Sequence, residues 1–333
     1  MRLARWLQDG VARDGVIVGD RLVELPVGAT TLGVAERGLD AALELGERLA
    51  AAVPDDAPRI DGVRLLSPIR PPAVRDFVAF EEHVEGIAVS VDGRVGGVEP
   101  VWYEAPRFYF TNPHSLIGSG ETVVPPATER LDFELEVGAV IGGVAGSDGR
   151  SLAPEDAQQH LFGFTIFNDW SARDLQSREQ RVPLGPCKGK DFATTLGPWI
   201  TTVDEVSDRF DEDGFLDLEM TVSVNGTEIG RDTLADMGWP FRDLVAYASR
   251  NSRVVPGDVL GSGTAGSGCL GELWGRAGGL TPPPLQPGDE VVMTVERLGS
   301  IVNRIGSPVE VPVVPRARRR PGSPAAQRRA VAS

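Results

Sequence analysis

Apolar and polar residues alternate with a period of two along much of the chain, the spacing of strands with one covered face. Gly15-Val16-Ile17-Val18-Gly19-Asp20-Arg21-Leu22-Val23-Glu24-Leu25 reads as a small hairpin. Leu131-Asp132-Phe133-Glu134-Leu135-Glu136-Val137 puts apolar residues on odd positions and acids on even ones, and strand-like patterning continues to Val144. Thr221-Val222-Ser223-Val224-Asn225-Gly226-Thr227-Glu228-Ile229 carries the Asn-Gly signature of a tight hairpin turn. Helical spacing is rarer, over Leu39 to Ala52, Pro154 to His160 and Phe241 to Asn251. Pro68, Pro71 and Pro72 punctuate the chain before Asp76, which predicts a small β-rich N-terminal domain over 1–67 and a larger domain over 68–312. A loop-rich stretch then runs to Pro126, with Gly93, Gly96 and Gly97 permitting movement of a lid.

Composition narrows the class. The 40 Gly and 26 Pro in 333 residues favour short strands and turns over long helices, so the expected class is α+β, mainly β. A formal net charge of −15 argues against nucleic acid and anionic membrane as partners, because both need basic surfaces. The start, Met1-Arg2-Leu3-Ala4-Arg5-Trp6, lacks a signal-peptide pattern and no window reaches the ~20 apolar residues of a membrane span, so a cytoplasmic protein is expected. Cys187 and Cys269 are too few for a disulfide framework and read as reduced thiols. Residues 313–333 hold six Arg and almost no large apolar side chain beyond Val313 and Val314, and are expected to be a disordered, solvated tail.

On a strand, Asp132, Glu134 and Glu136 share one face, with Glu134 and Glu136 about 7 Å apart along it. That face is either wet, or its carboxylates converge on an oxygen-preferring cation. Gly163-Phe164-Thr165-Ile166-Phe167-Asn168-Asp169 is an apolar strand ending in Asn-Asp before a helix-like turn, so Asp169 is a helix cap or a third ligand. Lysine occurs only at 188 and 190, every other basic position being Arg, which points to a need for a compact or deprotonatable ammonium within Gly185-Pro186-Cys187-Lys188-Gly189-Lys190. Of the three histidines, His114 sits in a Pro-rich turn and His160 ends a polar helix, whereas His83 lies among Glu81, Glu82 and Glu85, placed for general-base work. Gly261-Ser262-Gly263-Thr264-Ala265-Gly266 matches GxGxxG, but a dinucleotide site needs a helix next, and more Gly and then Pro282-Pro283-Pro284 follow. A loop whose amides and Thr264 hydroxyl meet an anionic substrate is the better expectation, with Glu272 beyond it able to orient a base.

Asp76-Phe77 with His83 seven residues on, Leu131-Asp132-x-Glu134-x-Glu136, Asn168-Asp169-Trp170-Ser171-Ala172-Arg173-Asp174-x-Gln176, Pro183-Leu184-Gly185-Pro186 with Gly189-Lys190, and the Gly-Thr loop before Glu272 together resemble the fumarylacetoacetate hydrolase family, over residues ~70 to ~308. The resemblance implies that family's mixed β-roll or sandwich catalytic domain, commonly as a homodimer. It implies Asp76, Glu134, Glu136 and Asp169 as ligands of Mg2+, with Mn2+ or Ca2+ as alternatives, and His83, Glu272 and Lys190 as catalytic groups. Arg173, Gln176, Thr264 and Tyr109 match supporting or substrate-contacting positions. The implied reaction is hydrolytic cleavage of a carbon–carbon bond in an acylpyruvate or β-diketone. Hydration, decarboxylation or tautomerisation of a 2-oxo acid at the same site is the second reading, and an inactive metal-binding scaffold is the third.

Several positions depart from the family pattern. Phe110-Thr111-Asn112-Pro113 has neutral Asn112 where members often have Lys, and Gly86 stands where a His-x-x-Glu pair needs Glu. One residue more than usual separates Gln176 from the Pro-Leu-Gly-Pro block, and Val84 to Gly93 holds no arginine to meet substrate. These departures point away from fumarylacetoacetate itself as substrate.

Overall fold

A computed structural model describes residues 1–92, 97–182 and 184–318, with the backbone alone at 90–92. Gly93, Gly96, Pro183 and the arginine-rich segment from 319 onward lie outside the described residues, and 307–318 carry no regular structure. The fold is mixed, with more strand than helix, as expected. An 11-stranded sheet runs in the order Arg21–Glu24, Val11–Val18, Arg2–Gln8, Thr194–Thr202, Leu161–Asp169, Leu135–Ile141, Val259–Gly261, Val74–Phe77, Phe108–Thr111, with two short strands pairing off this path. A five-stranded sheet adds Thr227–Thr233, Glu219–Val224, Glu290–Val295, Gly299–Ile305 and Thr122–Val123.

Both expected hairpins form. At the second, Asn225 and Gly226 have φ of 50° and 79°, the left-handed pair that a two-residue turn needs and that Asn and Gly tolerate. Helices Leu39–Ala50, Pro154–Gln158 and Phe241–Ser249 follow the helical spacing. Pairing crosses the expected boundary after residue 67, because Leu3 faces Ile200 in an antiparallel register that joins the N-terminal strands to the large sheet. No helix among the described residues is long and apolar enough to cross a membrane.

Three local expectations need correction. The stretch after Asp76 is not all loop, since Glu81–Asp92 forms a helix that carries His83. A helix does follow the glycine-rich loop, Leu270–Ala277, capped by Cys269. His160 is buried, with its two ring nitrogens on the Gly142 carbonyl and the Ser147 hydroxyl.

The acidic strand is broken in two and buried throughout. Leu131–Asp132 pairs with Ser171–Ala172, pairing lapses at Phe133 and Glu134, and it resumes at Leu135. Phe133 and Leu135 sink with Phe164, Ile166 and Leu260 into the main core, which fixes the opposite face as the side from which the acids project. Phe133→Ala is expected to cost about 3–5 kcal/mol of unfolding free energy in urea titrations; a loss below about 1 kcal/mol contradicts this packing.

Candidate metal centre and adjoining base

Sheet order collects the acids. Asp169 ends one strand, Glu136 lies on the next, Gly261 on the third and Asp76 on the fourth, with Gly261 directly opposite both Gly138 and Asp76. Tyr109 follows on the edge strand, opposite Asp76. Gly261 has to lack a side chain: a Cβ there would lie 2.6 Å from Asp76 Oδ1 and 3.1 Å from Glu136 Oε2. The missing methyl group leaves the space in which these carboxylates approach one another.

Asp76, Glu134 and Asp169 each offer an oxygen within 4.8 Å of the others. Glu136 joins them through a hydrogen bond with Asp76 and is held from behind by the Gly263 amide at 3.2 Å and the Thr264 hydroxyl at 3.3 Å. The loop read from sequence as a cradle for a substrate anion therefore cradles a carboxylate of the chain itself. Asp169 is not the cap of the following helix, whose N-cap is Ala172. Its Oδ2 accepts from the Tyr109 hydroxyl at 2.5 Å and from Lys190 at 2.7 Å.

The two lysines part company. Lys188 is exposed and pairs with Asp191, while Lys190 is buried with its ammonium between Glu134 and Asp169. Burial works against that charge, but Asp169 and Glu134 outweigh it and hold the Lys190 pKa above the ordinary lysine value. Lys190 is thus the compact ammonium of the sequence reading and not a deprotonated amine.

Charge is unbalanced in this pocket. Burial and then repulsion from neighbouring acids push Asp76 and Glu136 well above the usual carboxylate range, and burial also raises Asp169 despite Lys190. Glu134 alone is lowered, since Lys190 and Arg173 overcome its burial. Asp76 Oδ1 and Asp169 Oδ1 are buried with no hydrogen-bond partner. Unpartnered, buried carboxylate oxygens in a cluster this close are the donors a hard divalent cation takes, so the residues fit one.

His83 stands beside this cluster, 5% exposed. Its Nδ1 is 2.8 Å from Glu272 Oε1 and its Nε2 is 3.8 Å from Glu134 Oε1. Glu272 is fully buried, with its other oxygen taken by the Ser267 amide at 2.8 Å and by Arg276. The departure at Gly86 now has a reason: a Cβ there would sit 2.9 Å from Glu272 Cγ, so the stem of the side chain that meets His83 fills the space a side chain at 86 needs.

The cavity between His83 and the acids measures about 350 Å³ and is lined also by Lys190, Arg173, Gln176, Thr264 and Tyr109. Of the site residues implied by the family resemblance, Asp76, His83, Tyr109, Glu134, Glu136, Arg173, Gln176, Lys190 and Thr264 line this cavity, and Asp169 and Glu272 touch that lining through Lys190 and His83. A family model for the fumarylacetoacetate hydrolase C-terminal region matches residues 73–306, more than half of the chain. The chain belongs to the fumarylacetoacetate hydrolase family. A fumarylacetoacetase of Dictyostelium discoideum is 30% identical over 244 residues, 62% of this chain and 57% of that protein. The oxaloacetate tautomerase of Bacillus subtilis (strain 168) is 28% identical over 247 residues, 73% of each. A solved fumarylacetoacetate hydrolase from psychrophilic Exiguobacterium antarcticum superposes with a TM-score of 0.65 at 28% identity, over 92% of this chain and 99% of that one. The chain spans less than two thirds of the length of the fumarylacetoacetases it matches. Members of the fumarylacetoacetate hydrolase family are enzymes, and both hydrolases and a tautomerase stand among these relatives.

Sequence reasoning left two features of this family member without a role. Arg107 also lines the cavity, and nothing around it in the sequence marked it. Asp132, grouped with the ligands by alternation alone, turns away from them. Its oxygens accept from the Phe133, Leu270 and Gly271 amides at 2.8, 2.7 and 2.9 Å and from Arg173 Nε at 2.8 Å. Arg173 continues to Glu134 at 2.8 Å and to Gln176 at 3.1 Å. One fully buried carboxylate therefore ties the helix bearing Glu272 to the arginine that steers Glu134. Asp132→Ala leaves Arg173 short of a buried partner and should cost about 3–5 kcal/mol by chemical denaturation; a cost under about 1 kcal/mol removes Asp132 from this account.

Proposed function

We propose that this chain is a Mg2+-dependent hydrolase that cleaves a carbon–carbon bond in a small acylpyruvate or β-diketone-like substrate. The observation that carries the reading is the His83–Glu272 pair facing the carboxylate cluster across the cavity. Mg2+, with Mn2+ or Ca2+ as alternatives, would be held by Asp76, Glu134, Glu136 and Asp169. A bound cation supplies Lewis acidity, drawing charge from a carbonyl whose two oxygens chelate it.

The chain's own groups do the rest. Glu272 accepts a hydrogen bond from the Nδ1–H of His83, which leaves the Nε2 lone pair turned toward the cavity to take a proton from water. The hydroxide so formed adds to the substrate carbonyl, the bond to the neighbouring carbon breaks with its electron pair left on that carbon as an enolate, and the protonated His83 returns its proton there. Lys190 keeps its ammonium beside Glu134 and Asp169, where it donates to an enolate oxygen as charge develops. Arg173 and Gln176 fix the substrate's orientation, Thr264 and Tyr109 border it, and Val84, Ile87, Phe108 and Pro186 keep the remainder of the cavity apolar. Arg107 suits a carboxylate on the distal end of the substrate. The same proposal includes a homodimer and a catalytic segment over 68–312.

A second reading keeps every residue and changes the outcome: His83 returns its proton to the enolate carbon before any bond breaks, giving tautomerisation, or the site runs hydration or decarboxylation of a 2-oxo acid. The tautomerase relative, matched over a larger share of both chains than the Dictyostelium fumarylacetoacetase, favours keeping it. An inactive scaffold is the poorer reading, because the buried His83–Glu272 and Lys190 contacts have no use in metal storage.

Purified protein with Mg2+ and a panel of acylpyruvates should show loss of enol absorbance and, by mass, two fragments from each substrate consumed. Enol loss with unchanged mass transfers the proposal to tautomerisation, and no loss across the panel with metal bound overturns both. His83→Ala should lower kcat by about 10²- to 10⁴-fold while metal content is retained; unchanged kcat removes His83 as the base.

A further inference from the structure

Behind the imidazole lies a second set of donors of different chemical character. His83 Nδ1, Cys269 Sγ and Glu272 Oε1 converge, with Nδ1 to Oε1 at 2.8 Å and the sulfur 3.8 Å from each. All three side chains are buried, at 5%, 0% and 0% exposure. Those separations leave a point about 2 Å from all three atoms, close to the ~2.0–2.3 Å of zinc bonds to imidazole, carboxylate and thiolate. One thiolate, one imidazole and one carboxylate form a set that favours Zn2+ or Cd2+ over Mg2+, which prefers oxygen alone.

We infer that His83, Cys269 and Glu272 form a soft-metal site, separate from the carboxylate centre, whose occupation by Zn2+ or Cd2+ switches the His83 base off. The inhibitory half rests on the proposed role of His83, whereas the binding half does not. Proton balance explains the effect. Coordination takes the Nδ1 lone pair, so the imidazole proton relocates from Nδ1 to Nε2, and the nitrogen facing the cavity becomes a donor that accepts nothing from water. The Cys269 thiol gives up its proton to solvent, and Zn2+ with one thiolate and one carboxylate leaves the site neutral. His83 is the one member of the trio bordering the cavity, so an ion reaches the site past its ring.

The position of Cys269 makes the test clean. Cys269 is the N-cap of helix Leu270–Ala277 and its sulfur accepts from the Glu272 amide at 3.4 Å. Serine is among the best N-caps, so Cys269→Ser keeps the helix start and removes the soft ligand. Cys187, the other cysteine, is exposed and is replaced by serine throughout.

Cd2+ is titrated into the Mg2+-loaded Cys187→Ser protein while thiolate-to-cadmium absorbance is followed in the near ultraviolet. One Cd2+ per chain with that band is expected, and Cys187→Ser/Cys269→Ser should show none. Absence of the band in the Cys269 protein, or its persistence in the double variant, overturns the site without any substrate being involved. Zn2+ inhibition is then compared: the double variant should turn over within about two-fold of Cys187→Ser and need at least about tenfold more Zn2+ for half inhibition, a difference of roughly 1.4 kcal/mol. Equal sensitivity of the two proteins overturns the switch even where the absorbance band is present. Should no substrate be turned over, the absorbance arm still decides the site, and the hydrolase reading fails separately.

Discussion

Six carboxylates at the centre of this fold, Asp76, Asp132, Glu134, Glu136, Asp169 and Glu272, are buried, and among the described residues the buried lysine and arginine that pair with them are Lys190 and Arg173. Burying an ionised carboxylate without compensation is costly, and the usual outcomes are a bound proton, a partner or a metal. The chain divides the load among these. Asp132 takes Arg173 and three amides, Glu134 takes Lys190 and Arg173, and Glu272 takes an amide, Arg276 and the imidazole. Asp76, Glu136 and Asp169 are left with raised pKa values, and Asp76 and Asp169 each keep an unpartnered oxygen, a deficit that a divalent cation would make up.

Much of the surrounding backbone serves that arrangement. Four adjacent strands deliver Asp169, Glu136, Gly261 and Asp76 side by side, and Gly261 holds the gap open between two of the acids. The glycine-rich loop after Gly261 returns its amide to Glu136, then leads into the short helix that carries Glu272 to His83. Gly86 lets the helix bearing His83 approach closely enough for that contact. Each glycine acts by leaving room for a carboxylate, and the base and the acidic cluster become parts of one buried electrostatic unit.

Sequence made the strands, both hairpins and the identity of the acidic residues legible, because period-two patterning and Asn225-Gly226 are local signals. It left the meaning of those acids open, since alternation puts Asp132, Glu134 and Glu136 on one face and cannot tell a wet face from a buried one. Strand pairing lapses at Phe133 and Glu134, and Asp132 departs to accept the first amides of another helix. Helix Glu81–Asp92 was hidden by its acidic first turn and poor periodicity, and Arg107 had no neighbouring motif to mark it. Cys269, read as a reduced thiol, gains significance only from its distance to His83, which spans 186 positions in the chain.

The account stands on the proposal that the carboxylate cluster beside Gly261 holds a divalent cation. Electron paramagnetic resonance of Mn2+ titrated into metal-stripped protein measures that directly, with Gly261→Ala as the companion, since the added methyl group intrudes on both Asp76 and Glu136. One tightly bound Mn2+ per chain is predicted for the unaltered protein, with affinity at least about tenfold weaker in a folded Gly261→Ala variant. No tight Mn2+ in the unaltered protein, or equal binding by both, would contradict it.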